Sequence, residues 1–189
     1  MNKTALIIVD MLHDFAHPDG LVFYPKNQEI LPAIQHLLTT CRVADFLIIF
    51  MQQRYRKNKP DRNLNQMRPC CIEGSGGEKI VSELTVDHIK DYIIPKRRFS
   101  SFYGTDLDLV LREHGIKRVI IVGTKTNCCI NATVLDAHYL AYDVVVVRDC
   151  VGTSDDVTNE IYLRDMERYL CDVLSLEETV KQIKAGHWS

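Results

Sequence analysis

Short, nearly continuous apolar runs recur along the chain, and most stop at a polar residue. Residues 4–9 (TALIIV) end at Asp10, 46–51 (FLIIFM) at Gln52, 92–95 (YIIP) at Lys96 and 119–122 (VIIV) at Gly123; 143–148 (DVVVVR) and the shorter 172–174 follow. Runs of this length, rich in β-branched residues and without alternation, predict strands covered on both faces, as in a parallel sheet. Helical spacing fills the intervals. Ile30, Ile34, Leu37, Leu38 and Cys41 fall three or four residues apart within 27–42. Thr105 is placed to cap a helix with Asp106 and Asp108 in its first turn, Leu107, Val110 and Leu111 on its inward face and Gly115 past its end. Further helices are predicted over 129–141 and 157–170, and Ser175 with Glu178 forms a capping box for a last one. Strands alternating with helices in this way predict a single domain over 1–189: a three-layer α/β/α fold, Rossmann-like, around a mainly parallel six-stranded sheet with right-handed crossovers. The polar stretch 52–77, with Pro60, Pro69, Gly74, Gly76 and Gly77, reads as a long loop, and loops of that length in compact domains are usually functional.

In open α/β sheets ligands bind beyond the carboxyl ends of the strands. That rule gathers Asp10, the segment from Gln52 to Tyr55, Lys96 and the segment from Thr124 to Cys129, which lie far apart in sequence. Composition narrows the chemistry. A net charge of −2 and a pI near 6.4 give no electrostatic reason to expect nucleic acid or an anionic membrane as partner. At 46% hydrophobic and 25% charged residues the chain can bury a core. No run approaches the roughly 20 apolar residues of a membrane span, and the run before Asp10 is too short for a secretory signal, so a cytoplasmic location is expected. The seven cysteines are odd in number and include two adjacent doublets, a poor disulfide framework; they are expected as thiols. Cys70 and Cys71 fall on the polar loop with no evident role, and no zinc-site spacing is present.

A thiol with an ordinary pKa of about 8.5 is a poor nucleophile at neutral pH. Asp10 could accept its proton, Lys96 could stabilise the thiolate, and a helix start would add positive potential and backbone N–H groups. Cys129 lies where the loop Gly123-Thr124-Lys125-Thr126-Asn127 enters the predicted helix, so a tetrahedral oxyanion beside it could be held by N–H groups there. Cys128, one residue earlier, is the rival nucleophile.

Three segments together resemble the isochorismatase-like cysteine hydrolase superfamily: Asp10-Met11-x-x-Asp14-Phe15 after the first strand; Lys96 followed by Ser100, Phe102, Tyr103, Gly104, Thr105 and Leu107; and Gly123-x-x-Thr126-Asn127-x-Cys129-Ile130-x-x-Thr133-x-x-Asp136-Ala137. Within it the chain is similar to N-carbamoylsarcosine amidase-like members, chiefly over 96–107 and in the ending Asp172-Val173-Leu174-Ser175. The resemblance implies an Asp–Lys–Cys triad at Asp10, Lys96 and Cys129. It also implies a cis peptide before Lys125, an oxyanion hole from the N–H groups of Lys125 and Cys129, and a homodimer or homotetramer acting on a small amide or carbamoyl compound. Phe15, Arg54, Tyr55, Arg97 and Phe102 are the candidates for substrate contact, the guanidinium groups because they match a carboxylate bidentately. His187 and Trp188 could pack against a neighbouring subunit or fray.

The sequence departs from the family at points that bear on chemistry. Leu12 and His13 stand where a glutamine and an asparagine are usual. The metal-binding Asp-x-His of nicotinamidase relatives corresponds to Gln52-Gln53-Arg54, and an amide and a guanidinium cannot replace those ligands, so no metal and no cofactor is expected. Isochorismatases that cleave a vinyl ether lack the nucleophilic cysteine, so Cys129 favours amide chemistry; vinyl ether hydrolysis and nicotinamidase activity are the alternatives. A thiol redox function of Cys128–Cys129 would need a strained eight-membered ring, and the absence of G-x-G-x-x-G or a P-loop argues against a nucleotide-binding module.

Overall fold

The computed structural model describes residues 3–188. Its six strands are β1 (Lys3–Val9), β2 (Leu47–Gln53), β3 (Tyr92–Lys96), β4 (Ile116–Thr124), β5 (Asp143–Gly152) and β6 (Asp172–Leu174), all parallel, in the order β3-β2-β1-β4-β5-β6. The apolar runs thus mark the strands, as expected for a sheet buried on both faces. β1 is central, and its alternate residues feed two separate cores. Ala5, Ile7 and Val9 pack with α4 (Leu107–Glu113), α5 (Asn131–Tyr139) and α6 (Asp156–Tyr169). Leu6 and Ile8 pack on the other face with α3 (Leu31–Val43) and α7 (Leu176–Lys184). The remaining helices are short turns, α1 (His13–Ala16) and α2 (Lys26–Glu29). No helix among the described residues is long and apolar enough to cross a membrane.

Two predicted helices take a different form. The pattern over 27–42 splits into α2 and α3 at Ile30, because Pro32 sits in the first turn of α3, where its missing N–H costs nothing. The helix predicted from Cys129 starts earlier, as a wide turn over Thr126–Ile130 with π geometry, and only then becomes α5. α7 begins with the Ser175–Glu178 capping box. Trp188, expected at a subunit contact or frayed, is buried in its own chain: its carbonyl accepts the Thr4 hydroxyl at 2.7 Å and Arg118 lies over its ring.

The segment between β2 and β3 holds one short 3-10 turn, Asn63–Asn65. Buried carboxylates order it. Asp14 accepts the N–H groups of Cys71 at 2.6 Å and Leu21 at 3.3 Å, Glu78 those of Gly74 and Gly76 at 2.8 Å, and Asp61 that of Asn63 at 3.0 Å. Each satisfies backbone donors that strand or helix pairing would otherwise take. Cys70 and Cys71 are not on an exposed loop; they are buried against Leu12.

β4 passes β1 most closely at Gly123, where φ is +115° and an added Cβ would lie 2.1 Å from the Val9 carbonyl oxygen. Strain and backbone overlap would combine in Gly123→Ala, with an expected loss of about 3 kcal/mol or more. Urea unfolding checks this; a midpoint equal to wild type would contradict it.

Candidate active site

β2 lies between β3 and β1, so the last residue of β2 stands between the ends of its neighbours. Gln53 is paired in register with Lys96, and Val9, the residue before Asp10, is paired with Met51 of β2. Asp10 follows β1 in left-handed backbone conformation, φ +56°, which aspartate tolerates better than most residues. The turn folds its carboxylate back over the end of β2, where Oδ1 accepts the Gln53 N–H at 2.9 Å.

Lys96 is fully buried, and its Nζ meets Asp10 Oδ2 at 2.7 Å, Gln53 Oε1 at 2.9 Å, the Arg98 carbonyl at 3.0 Å and Cys129 Sγ at 3.5 Å. An ammonium has three N–H groups; three oxygens occupy its short contacts, and the sulfur stands at the longest. Burial alone would lower the Lys96 pKa, but the Asp10 carboxylate and Cys129 outweigh it and hold Lys96 above its ordinary value. Burial pushes the Cys129 thiol up; Lys96 pulls it down, and the nearby Asp10 charge adds to the rise. The Cys129 thiol thus lies beside both an ammonium and a carboxylate. Asp10 Oδ2 has no well-aligned hydrogen bond despite its ion pair, which leaves a lone pair for a proton.

The wide turn carrying Cys129 is tied on both sides. The Lys125 carbonyl accepts the N–H groups of Cys128 at 3.0 Å and Ile130 at 3.1 Å, and the Thr124–Lys125 peptide is cis. Thr126 donates to Asn159 of α6 at 2.6 Å, and Thr153 donates to Asn127 at 2.8 Å. Thr133 donates to the Cys129 carbonyl at 2.6 Å and receives the Ser101 N–H, joining α5 to the segment after β3. Tyr24 is hydrogen-bonded to Thr124 at the end of β4, and burial raises its pKa. Cys128 is half-buried, and the Lys96 ammonium points at Cys129.

The expected substrate contacts fare differently. Tyr55 has no exposed surface, and its hydroxyl accepts from Asn63 at 3.3 Å, so it is placed as a packed ring. Phe102 is committed to packing, stacked on Tyr142 with centroids 5.9 Å apart. Phe15 packs against the Leu12, Cys70 and Cys71 cluster. Arg54 and Arg97 line a cavity at the edge of β3 whose walls include none of Asp10, Lys96 and Cys129. Gln53 was missed as a candidate; its backbone N–H serves the carboxylate and its side-chain oxygen the ammonium, and the signal was its place at the end of a strand lying between theirs. A metal does not fit the Gln52–Arg54 stretch. Gln52 turns its amide N–H₂ to the Glu78 carbonyl at 2.7 Å, and Arg54 brings a cation where a divalent ion needs acceptors. Among the described residues no group of three or more His, Cys, Asp or Glu side chains is placed to hold a metal.

The Isochorismatase domain matches residues 4–178. The chain belongs to the isochorismatase family. YaaI of Bacillus subtilis, an uncharacterised isochorismatase family protein, is 30% identical over 177 residues, covering 93% of this chain and 95% of its own. An isochorismatase-like hydrolase from Alkaliphilus metalliredigens superposes with a TM-score of 0.89 at 30% identity, over 95% of this chain and 98% of that one. N-carbamoylsarcosine amidase from Thermoplasma acidophilum does so at 0.80 and 27%, over 92% and 96%. This isochorismatase family hydrolase keeps a buried ion pair at its centre, which bears on stability. Removing one partner strands a charge, so Lys96→Met should cost ~3–5 kcal/mol. Asp10→Asn in the same chain should recover more than half of that loss, because asparagine keeps the left-handed turn without the charge. Urea denaturation of the two variants checks it; equal losses in both would contradict it.

Proposed function

We propose that the protein hydrolyses the C–N bond of a small amide, carbamoyl or ureido compound through a thioester on Cys129. The observation that carries this is the convergence of Asp10 and Lys96 on one buried thiol at the carboxyl ends of β1, β3 and β4. Likeness to N-carbamoylsarcosine amidase supports the choice of bond.

Asp10 takes the thiol proton, and Lys96 holds the resulting thiolate by turning its ammonium toward sulfur. The thiolate attacks the carbonyl carbon, and the electron pair of the C=O bond moves to oxygen. The N–H groups of Lys125 and Cys129 are the proposed donors to that oxyanion. Collapse expels ammonia or an amine carrying the proton held by Asp10. Water, deprotonated by Asp10, then attacks the thioester; the thiol reforms and the acid leaves. The residues need no metal for any step, since the carboxylate and ammonium already supply base and electrostatic stabilisation. By the same reading the enzyme works in the cytoplasm as a homo-oligomer.

The test is ammonia release from N-carbamoyl amino acids, biuret, ureidoacrylate-type compounds, nicotinamide and pyrazinamide. Cys129→Ala should reduce turnover to background, and Asp10→Asn should lower kcat by about 10²–10⁴, while EDTA leaves the wild type unaffected. Turnover that survives Cys129→Ala would overturn the nucleophile, and chelator-sensitive activity on nicotinamide would overturn the metal-free reading. Turnover of isochorismate alone would replace amide by vinyl ether chemistry.

A further inference from the structure

The edge of the sheet carries a second feature that the reaction does not use. A cavity of about 460 Å³ opens where β3 ends, and six of its lining side chains are cationic: Arg54, Arg56, Lys57, Lys59, Arg97 and Arg98. They come from two separate segments, one following β2 and one following β3. One carboxylate shares the wall, Glu73, 4.0 Å from Arg54. Asp61 pairs with Arg97 and Arg98 at 3.3 and 3.0 Å. Arg56, Lys57 and Lys59 are exposed and have no carboxylate partner among the described residues.

This concentration is local, because the chain as a whole carries a net charge of −2. Like charges gathered around a concavity repel one another and focus a positive potential into it, and a bound anion relieves both. The volume lies within the roughly 300–1,000 Å³ of small-molecule sites. Guanidinium forks match the paired oxygens of phosphate and carboxylate groups, and the lysines add point charges. Pro95 and Tyr103 are the apolar or aromatic side chains in the wall, outnumbered by the cations.

The cavity wall includes none of Asp10, Lys96 and Cys129, although the Arg98 carbonyl behind it accepts from Lys96 at 3.0 Å. Side chains alternate along a strand: Lys96 is buried and meets Cys129, whereas its neighbours Pro95 and Arg97 are exposed and line the cavity. We propose that this cavity is a binding site for a small multivalent anion, bearing two or more phosphate or carboxylate groups, separate from the site of carbonyl attack.

Calorimetric titration with pyrophosphate and, in a second arm, citrate, at ionic strength held constant with sodium chloride, tests this on the full chain. Saturable binding is expected in the wild type and equally in Cys129→Ala. The triple variant Arg56→Gln, Lys57→Gln, Lys59→Gln should bind about tenfold more weakly or worse while keeping the wild-type thermal midpoint, since those three side chains hold nothing else in place. Binding of pyrophosphate alone would assign the site to phosphates, and binding of citrate alone to polycarboxylates. Heats no greater than those of added chloride, or affinity in the triple variant within about twofold of wild type, would overturn the site. Loss of binding in Cys129→Ala would overturn its separateness.

Discussion

A lysine and an aspartate, both withdrawn from water, face each other at 2.7 Å beneath the carboxyl end of the sheet. Taking two charges into a protein interior costs several kcal/mol each, and their attraction offsets this only when every remaining lone pair and proton is satisfied. The Arg98 carbonyl accepts one N–H of the ammonium at 3.0 Å, and Gln53 meets part of the remaining demand. Its backbone N–H serves the carboxylate, its side-chain carbonyl serves the ammonium, and its N–H₂ reaches the Lys96 carbonyl at 3.3 Å. A hydrophobic trio would fill the same volume at less cost, so the pair is not there to hold the fold. It is tolerated by a sheet whose order, β3-β2-β1-β4, fixes where each of these side chains can be.

That order explains what the sequence made legible. The strands could be read because each is apolar on both faces and stops at a change of character: TALIIV at Asp10, YIIP at Lys96. The carboxyl-end rule then assembled Asp10, Lys96 and the segment of Cys129 without knowledge of strand order. Gln53 escaped for the complementary reason. Its function depends on β2 lying between β1 and β3, and no local pattern encodes adjacency. Helix ends were legible where a cap is written in the chain, as at Ser175 and Glu178, and not where an apolar pattern runs on past a break, as from Lys26 through Pro32.

The segment joining β2 to β3 was the hardest to read because its order does not come from periodicity. Asp14, Asp61 and Glu78 look like ordinary surface acids in sequence, yet all are buried and bind backbone N–H groups or arginines. Tyr55 was a candidate contact because it follows the end of β2, whereas its side chain is buried. Arginine and tyrosine near a site are ambiguous: what decides their role is the direction of the side chain, which in a strand end alternates with each residue.

The same alternation divides the end of β2 between two kinds of chemistry. Gln53 points toward Lys96 and Asp10, on the side of the thiol. Gln52 and Arg54, one residue to either side, point away from it, to the Glu78 carbonyl and toward Glu73. Where nicotinamidase relatives place metal ligands, this chain places a hydrogen-bond donor and a cation. The guanidinium is a poor neighbour for a divalent ion. On the other face the carboxylate, ammonium and thiol lie together. Adjacent residues at the end of one strand thus serve opposite faces of the sheet.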